Sequence, residues 1–108
     1  MNMRFRFMRI LVFFDLPSVT SSDRKAYSKF RKHLVNSGFM MMQESVYCKL
    51  ALNMTVANSI MNSVRANKPP KGLIQMMVVT ENQYSRMEYV LGEQNTQVIT
   101  SCERLIVL

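Results

Sequence analysis

Few side chains in this sequence have the type and setting for chemistry, and Asp15 is the foremost of them. It ends the apolar run Ile10-Leu11-Val12-Phe13-Phe14 and is followed at once by Leu16-Pro17. A carboxylate leaving an apolar strand needs a partner: a metal ion, a basic side chain or backbone N–H groups. Judged on local sequence alone, a turn aspartate accepting N–H bonds from the following loop ranks above a metal ligand. Other chemical constellations are missing. His33 is the single histidine, and Cys48 and Cys102 stand too far apart for a C-x-x-C redox or zinc motif. Gly38, Gly72 and Gly92 are scattered, so no glycine-rich phosphate loop exists. The eleven methionines, Met40 to Met42 and Met76-Met77 among them, suit flexible core packing better than ligation.

The elements that must position Asp15 follow from periodicity. Ile10 to Asp15 reads as a strand buried on both faces, which Pro17 cannot continue, so Asp15 belongs at its carboxyl end, half emerging from the core. A polar loop over Ser18 to Ser22 leads to a helix from about Asp23 to Asn36, with Ser22 as N-cap. Ala26, Tyr27, Phe30 and Leu34 share one face of that helix, and Gly38 sits just past its end. Phe39 to Leu52 reads as strand interrupted at Gln43-Glu44, either a tight hairpin or a bulge in one bent strand. Asn53 caps a second helix reaching about Ala66, which Asn67 to Gly72 breaks. Leu73 to Thr80 is apolar on both faces and is expected to be a central strand. Thr80-Glu81-Asn82-Gln83 matches a capping box opening a short helix with Tyr84, Met87 and Leu91 inward and Gly92 as its stop. A polar turn from Glu93 to Gln97 and a last strand ending at Leu105 to Leu108 complete the order.

At 108 residues the chain makes one domain, residues 1–108. The order of elements is that of a ferredoxin-like α+β sandwich (βαββαβ), with a short helix and a C-terminal strand added. The apolar tail has no place in a four-stranded core, and an unpaired edge invites pairing with a second copy. Such a fold alone leaves function open. The net charge of +7, from 14 basic and 7 acidic groups, points to a polyanion, nucleic acid before membrane. There is no apolar run long enough to span a bilayer. The start carries Arg4, Arg6 and Arg9, but the five-residue apolar stretch that follows lacks a small-residue cleavage site. That stretch reads as a strand of a cytoplasmic protein, and two unpaired cysteines fit a reducing compartment.

Several segments carry a resemblance. Arg9-Ile10-Leu11-Val12-Phe13-Phe14-Asp15-Leu16-Pro17, Arg24 to Lys32, Gln43-x-Ser45-Val46-Tyr47 and Val79-Thr80-Glu81-Asn82-Gln83 are together similar, in order and spacing, to the CRISPR-associated protein two family. That family is the small subunit of the spacer-adaptation machinery, and the likeness runs from about Arg9 to Leu108, nearest its type II-A branch. It implies a homodimer in which the last strand of one subunit extends the other's sheet. It also implies partners: a CRISPR adaptation integrase, whose dimers the small subunit bridges, and the duplex DNA captured for insertion into the array. The residue matching Asp15 is the family's proposed catalytic metal ligand, two copies facing each other around Mg²⁺, and many members are described as metal-dependent endonucleases of RNA or DNA. One aspartate per chain is adequate for Mg²⁺, which takes one or two carboxylates and keeps several waters.

One departure sets the ranking of roles. Members described as ribonucleases often carry a basic residue two positions before the glutamine of Gln-x-Ser-Val, where this chain has Met41. A positive group lost beside the phosphate weakens transition-state stabilisation, so DNA bridging ranks above cleavage. Ser45 and Tyr47 match the family motif as supporting residues, though strand residues with satisfied hydroxyls account for them equally well. Arg24 and Lys25, at the loop-to-helix junction, are the first candidates for phosphate contacts, and Lys68 and Lys71, flanking Pro69-Pro70, come next. Any one of these four alone is as readily a solvated surface charge. The alternative functions are a stand-alone, toxin-like Mg²⁺-dependent endoribonuclease and a small-ligand regulatory module.

Overall fold

The computed structural model describes residues 7–93. Strand β1 (Met8–Asp15) is followed by helix α1 (Ser21–Asn36), strands β2 (Met40–Gln43) and β3 (Val46–Ala51), helix α2 (Met54–Ala66), strand β4 (Leu73–Thr80) and the short helix α3 (Glu81–Ser85). The strands form one antiparallel sheet in the order β2-β3-β1-β4. This is the ferredoxin-like arrangement the element order implied.

Alternation along β1 sorts the sheet into two faces. Ile10, Val12 and Phe14 point to the helices and join Phe30 and Leu34 of α1, and Ala57, Met61 and Val64 of α2, in the main core. Phe14 anchors it: its ring meets Phe30 edge-on at 5.4 Å and stacks on Tyr47 at 5.6 Å. The register pairs Leu11 with Cys48 and Met77, and Asp15 with Leu73, so these share the opposite, outer face.

Local chemistry sets the boundaries. Helix α1 begins two residues earlier than the sequence implied, because Thr20 and not Ser22 is its N-cap. The Thr20 hydroxyl accepts from the Asp23 N–H at 3.0 Å, and Asp23 accepts in return from the Thr20 N–H at 3.2 Å. At its other end Gly38, at φ +94°, lets Phe39 N–H reach the Leu34 carbonyl and Gly38 N–H the Val35 carbonyl. The interrupted stretch is two strands in a hairpin turning at Glu44 and Ser45, not one bent strand, and the register of that hairpin shifts between Met41 and Gln43.

Two further expectations fail. Strand β4 is the edge of the described sheet, not a central strand: β1 already uses its two sides for β3 and β4. The apolar outer side of β4 is instead open, with Leu73 55 % and Met77 53 % exposed. Helix α3, for which Thr80 and Gln83 form the foreseen capping box, stops at Ser85 and does not run on to Gly92. Its five residues make little more than one turn, so Met87 and Leu91 do not pack inward and are exposed. The expected turn and final strand lie largely or wholly beyond residue 93, outside the described residues. Among the described residues no helix is long and apolar enough to cross a membrane.

Candidate metal and nucleic-acid site

Asp15 stands exposed at the end of the central strand, on the outer face. Two neighbours fix the backbone there. The Phe14 N–H donates to the Ser45 carbonyl at 3.1 Å, tying β1 to the β2–β3 turn. Gly72, at φ +116°, packs so tightly that a Cβ on it would lie 2.6 Å from Leu16 Cδ2 and 3.2 Å from the Asp15 carbonyl oxygen. The loop bearing Gly72 is fastened by an ion pair, Lys71 Nζ to Asp23 Oδ1 at 3.2 Å. Hydrogen bonding within the Thr20–Asp23 capping box, helped by Lys71, holds the Asp23 carboxyl below the usual carboxylate range against the opposing effect of burial.

The Asp15 carboxylate has no ion-pair or hydrogen-bond partner among the described residues, so the turn-aspartate alternative lacks its N–H donors there. Nor do the described residues of one chain gather three His, Cys, Asp or Glu groups for a metal. An exposed carboxylate with both oxygens unengaged suits Mg²⁺, a hard cation satisfied by water and few carboxylates. A second carboxylate would have to come from another copy.

The far end of the outer face is closed by α3. The Arg9 guanidinium donates to both Glu81 carboxylate oxygens, at 2.6 and 3.1 Å, and lies 4.4 Å from the Tyr84 ring centre. The Tyr84 hydroxyl stands 3.8 Å from Cys48 Sγ, and burial first, then the Cys48 contact, pushes its pKa up to about 12. The Glu81 hydrogen bond likewise raises that of Arg9.

The other candidates divide. Ser45 lies beside the Asp15 end through its carbonyl. Tyr47 does not: it is fully buried on the helix side, its hydroxyl accepting from Arg31 Nε at 2.9 Å. Met41 is half out of the helix-side surface, lining a groove with Tyr27, Arg31 and Lys32. Three of the four predicted phosphate contacts have internal partners. Arg24 donates to the Val19 carbonyl at 2.9 Å, Lys68 to the Arg65 carbonyl at 3.3 Å, and Lys71 is paired with Asp23. Lys25 has none among the described residues, and the same holds for Lys29 and Lys32, which the sequence analysis did not single out.

Residues 8–87 match the family described as CRISPR associated protein Cas2. The chain is 52 % identical to the CRISPR-associated endoribonuclease Cas2 of Treponema denticola over 94 % of its length and all of the relative's. It is 45 % identical to the protein of the same name from Streptococcus mutans, over 94 % of this chain and 93 % of that one. Its identity to the Ligilactobacillus salivarius protein so named is 43 %, over 94 % of this chain and 100 % of the other. With the ferredoxin-like sheet in place and an aspartate exposed at the end of its central strand, the match over most of the chain makes this protein a member of the Cas2 family.

Proposed function

We propose that this chain is the dimeric, DNA-bridging subunit of a CRISPR adaptation complex, linking dimers of the integrase and holding duplex DNA for insertion into the array. The observation that carries this reading is the outer sheet face of a Cas2-family chain, which joins an unengaged Asp15 to the exposed apolar side chains Leu73 and Met77. Apolar surface of this kind is covered favourably by a second copy, the interaction being nearly non-directional and proportional to the area removed from water. Packing two such faces would also bring two Asp15 carboxylates toward one ion. Ser45 and Gly72 keep the strand end in place, and Asp15 binds. Bound Mg²⁺ would supply a water of lowered pKa and neutralise phosphate charge.

The second reading, a metal-dependent endoribonuclease, is favoured by the name that the relatives carry. It ranks lower because Met41 supplies no charge, although Arg31 and Lys32 of α1 line the same groove. Copurification and an integration reaction test the proposal. A stable complex with the integrase, and integration that requires this chain, are expected. Integration proceeding without it would overturn the bridging role, and Mg²⁺-dependent RNA cleavage lost in Asp15→Ala would establish the second reading.

A further inference from the structure

Resting on the reading that the protein holds duplex DNA, we infer that the outer face of α1 is the phosphate track, carried by Lys25, Lys29 and Lys32 and not by the loop lysines Lys68 and Lys71. These three are the cations of α1 and the α2–β4 loop without an internal hydrogen-bond or ion-pair partner among the described residues. Arg31 is held by Tyr47, Arg24 by Val19, Lys68 by Arg65 and Lys71 by Asp23. A partnered cation must give up its bond to take a phosphate, whereas Lys25, Lys29 and Lys32 have no such bond to give up among the described residues.

Their spacing fits a regular array. At i, i+4 and i+7 they fall within an arc of about 60° and span about 10 Å of helix axis. With one phosphate per ~3.4 Å of duplex axis on each strand, that length faces about three phosphates. Together with Ser21, Arg24 and Ser28 the three line one shallow trough. The acidic side chain of α1, Asp23, is buried in its cap and already paired, so it does not offset this charge.

The trough holds no aromatic side chain. Tyr27, on the same helix, is half-buried with its ring against Phe14 at 6.0 Å. Single strands are gripped largely by stacking bases on aromatics. A line of cations carried on a regular helix, without a stacking platform, instead suits the evenly spaced backbone of a duplex.

Salt-dependent binding to a blunt duplex of mixed sequence, followed by fluorescence anisotropy, tests this. Lys25→Gln/Lys29→Gln/Lys32→Gln should lower the magnitude of the slope of log K against log salt by roughly two to three units, about 0.9 for each phosphate no longer neutralised. The corresponding triple arginine variant should restore it, which separates removal of charge from failure to fold. Lys68→Gln should leave the slope within roughly half a unit of wild type. An unchanged slope in the triple glutamine variant, with wild-type binding intact, overturns the track and leaves the bridging reading standing. Absence of duplex binding by the wild-type protein overturns both. An equal slope change on single-stranded DNA, or a loss confined to vesicles of anionic lipid, overturns the assignment to duplex.

Discussion

Gly72 leaves no room for a side chain beside Asp15: a Cβ at position 72 would lie 3.2 Å from the Asp15 carbonyl oxygen and closer still, 2.6 Å, to Leu16 Cδ2. The contact couples the loop after α2 to the turn that presents the carboxylate. Gly72 also sits at φ +116°, a conformation that L side chains rarely adopt. Gly72→Ala should therefore destabilise the fold by about 1–3 kcal/mol. Urea unfolding would show this as a lower midpoint at unchanged slope.

The Asp23 carboxylate, held by the Thr20 N–H first and then by Lys71, predicts acid sensitivity. Because the folded-state pKa of Asp23 is depressed, its contribution is fully present above the unfolded carboxylate value of about 3.9 and is lost as pH falls through the folded value. Asp23→Asn should lower stability at pH 7 and flatten its decline at acid pH. Lys71→Met should cost no more than about 1 kcal/mol, since its ammonium is largely in water. Urea midpoints across the acid range check both.

The legibility of this molecule followed the reach of each interaction. The β1 run, the Asn53 cap and the Thr80–Gln83 capping box are local, and each stands where periodicity and capping chemistry put it. Thr20 was readable as a cap through its i+3 partner Asp23, but Ser22 competed as an equally good residue type. The edge position of β4 could not be read, because apolar residues on both faces signal burial without saying which neighbour provides it. The site divided the same way. Asp15 at a strand end is a local fact, whereas the partners of Arg24, Lys68 and Lys71, and the burial of Tyr47, depend on interactions that only the folded chain creates. Lys29 and Lys32 carried a usable signal, their i+4 and i+7 spacing from Lys25.

The Arg9–Glu81–Tyr84 cluster predicts a late phenol titration. Wild type minus Tyr84→Phe, followed by phenolate absorbance, should isolate a group titrating near 12. Since the folded value is raised, the associated stability is intact below the unfolded value of about 10 and is lost as pH climbs toward the folded one. Arg9→Met should release α3 from the outer face, and with burial gone the difference titration should fall back toward 10. Because the Arg9 charge itself lowers the phenol pKa, a value that stayed or rose would show that Arg9 does not hold α3.

The open outer face predicts self-association. Met77→Glu places a charge where a second copy would cover apolar surface, so it should shift the protein to monomer with little loss of fold. Deleting residues 100–108 should give monomers or aggregates by removing the strand proposed to pair with the partner. Sedimentation velocity distinguishes these outcomes. A well-behaved wild-type monomer at micromolar concentration would contradict the dimer.

The most direct test of bridging by a dimer, with the Asp15 site dispensable to it, measures two activities on one purified Asp15→Ala protein. Scaffolding needs the dimer and its basic surface, so integration with the partner integrase should stay within a few-fold of wild type. Mg²⁺-dependent cleavage of RNA or DNA, wherever wild type shows it, should be abolished. Loss of integration by a variant that remains dimeric and still binds duplex DNA would contradict the account and make the carboxylate site essential to adaptation itself.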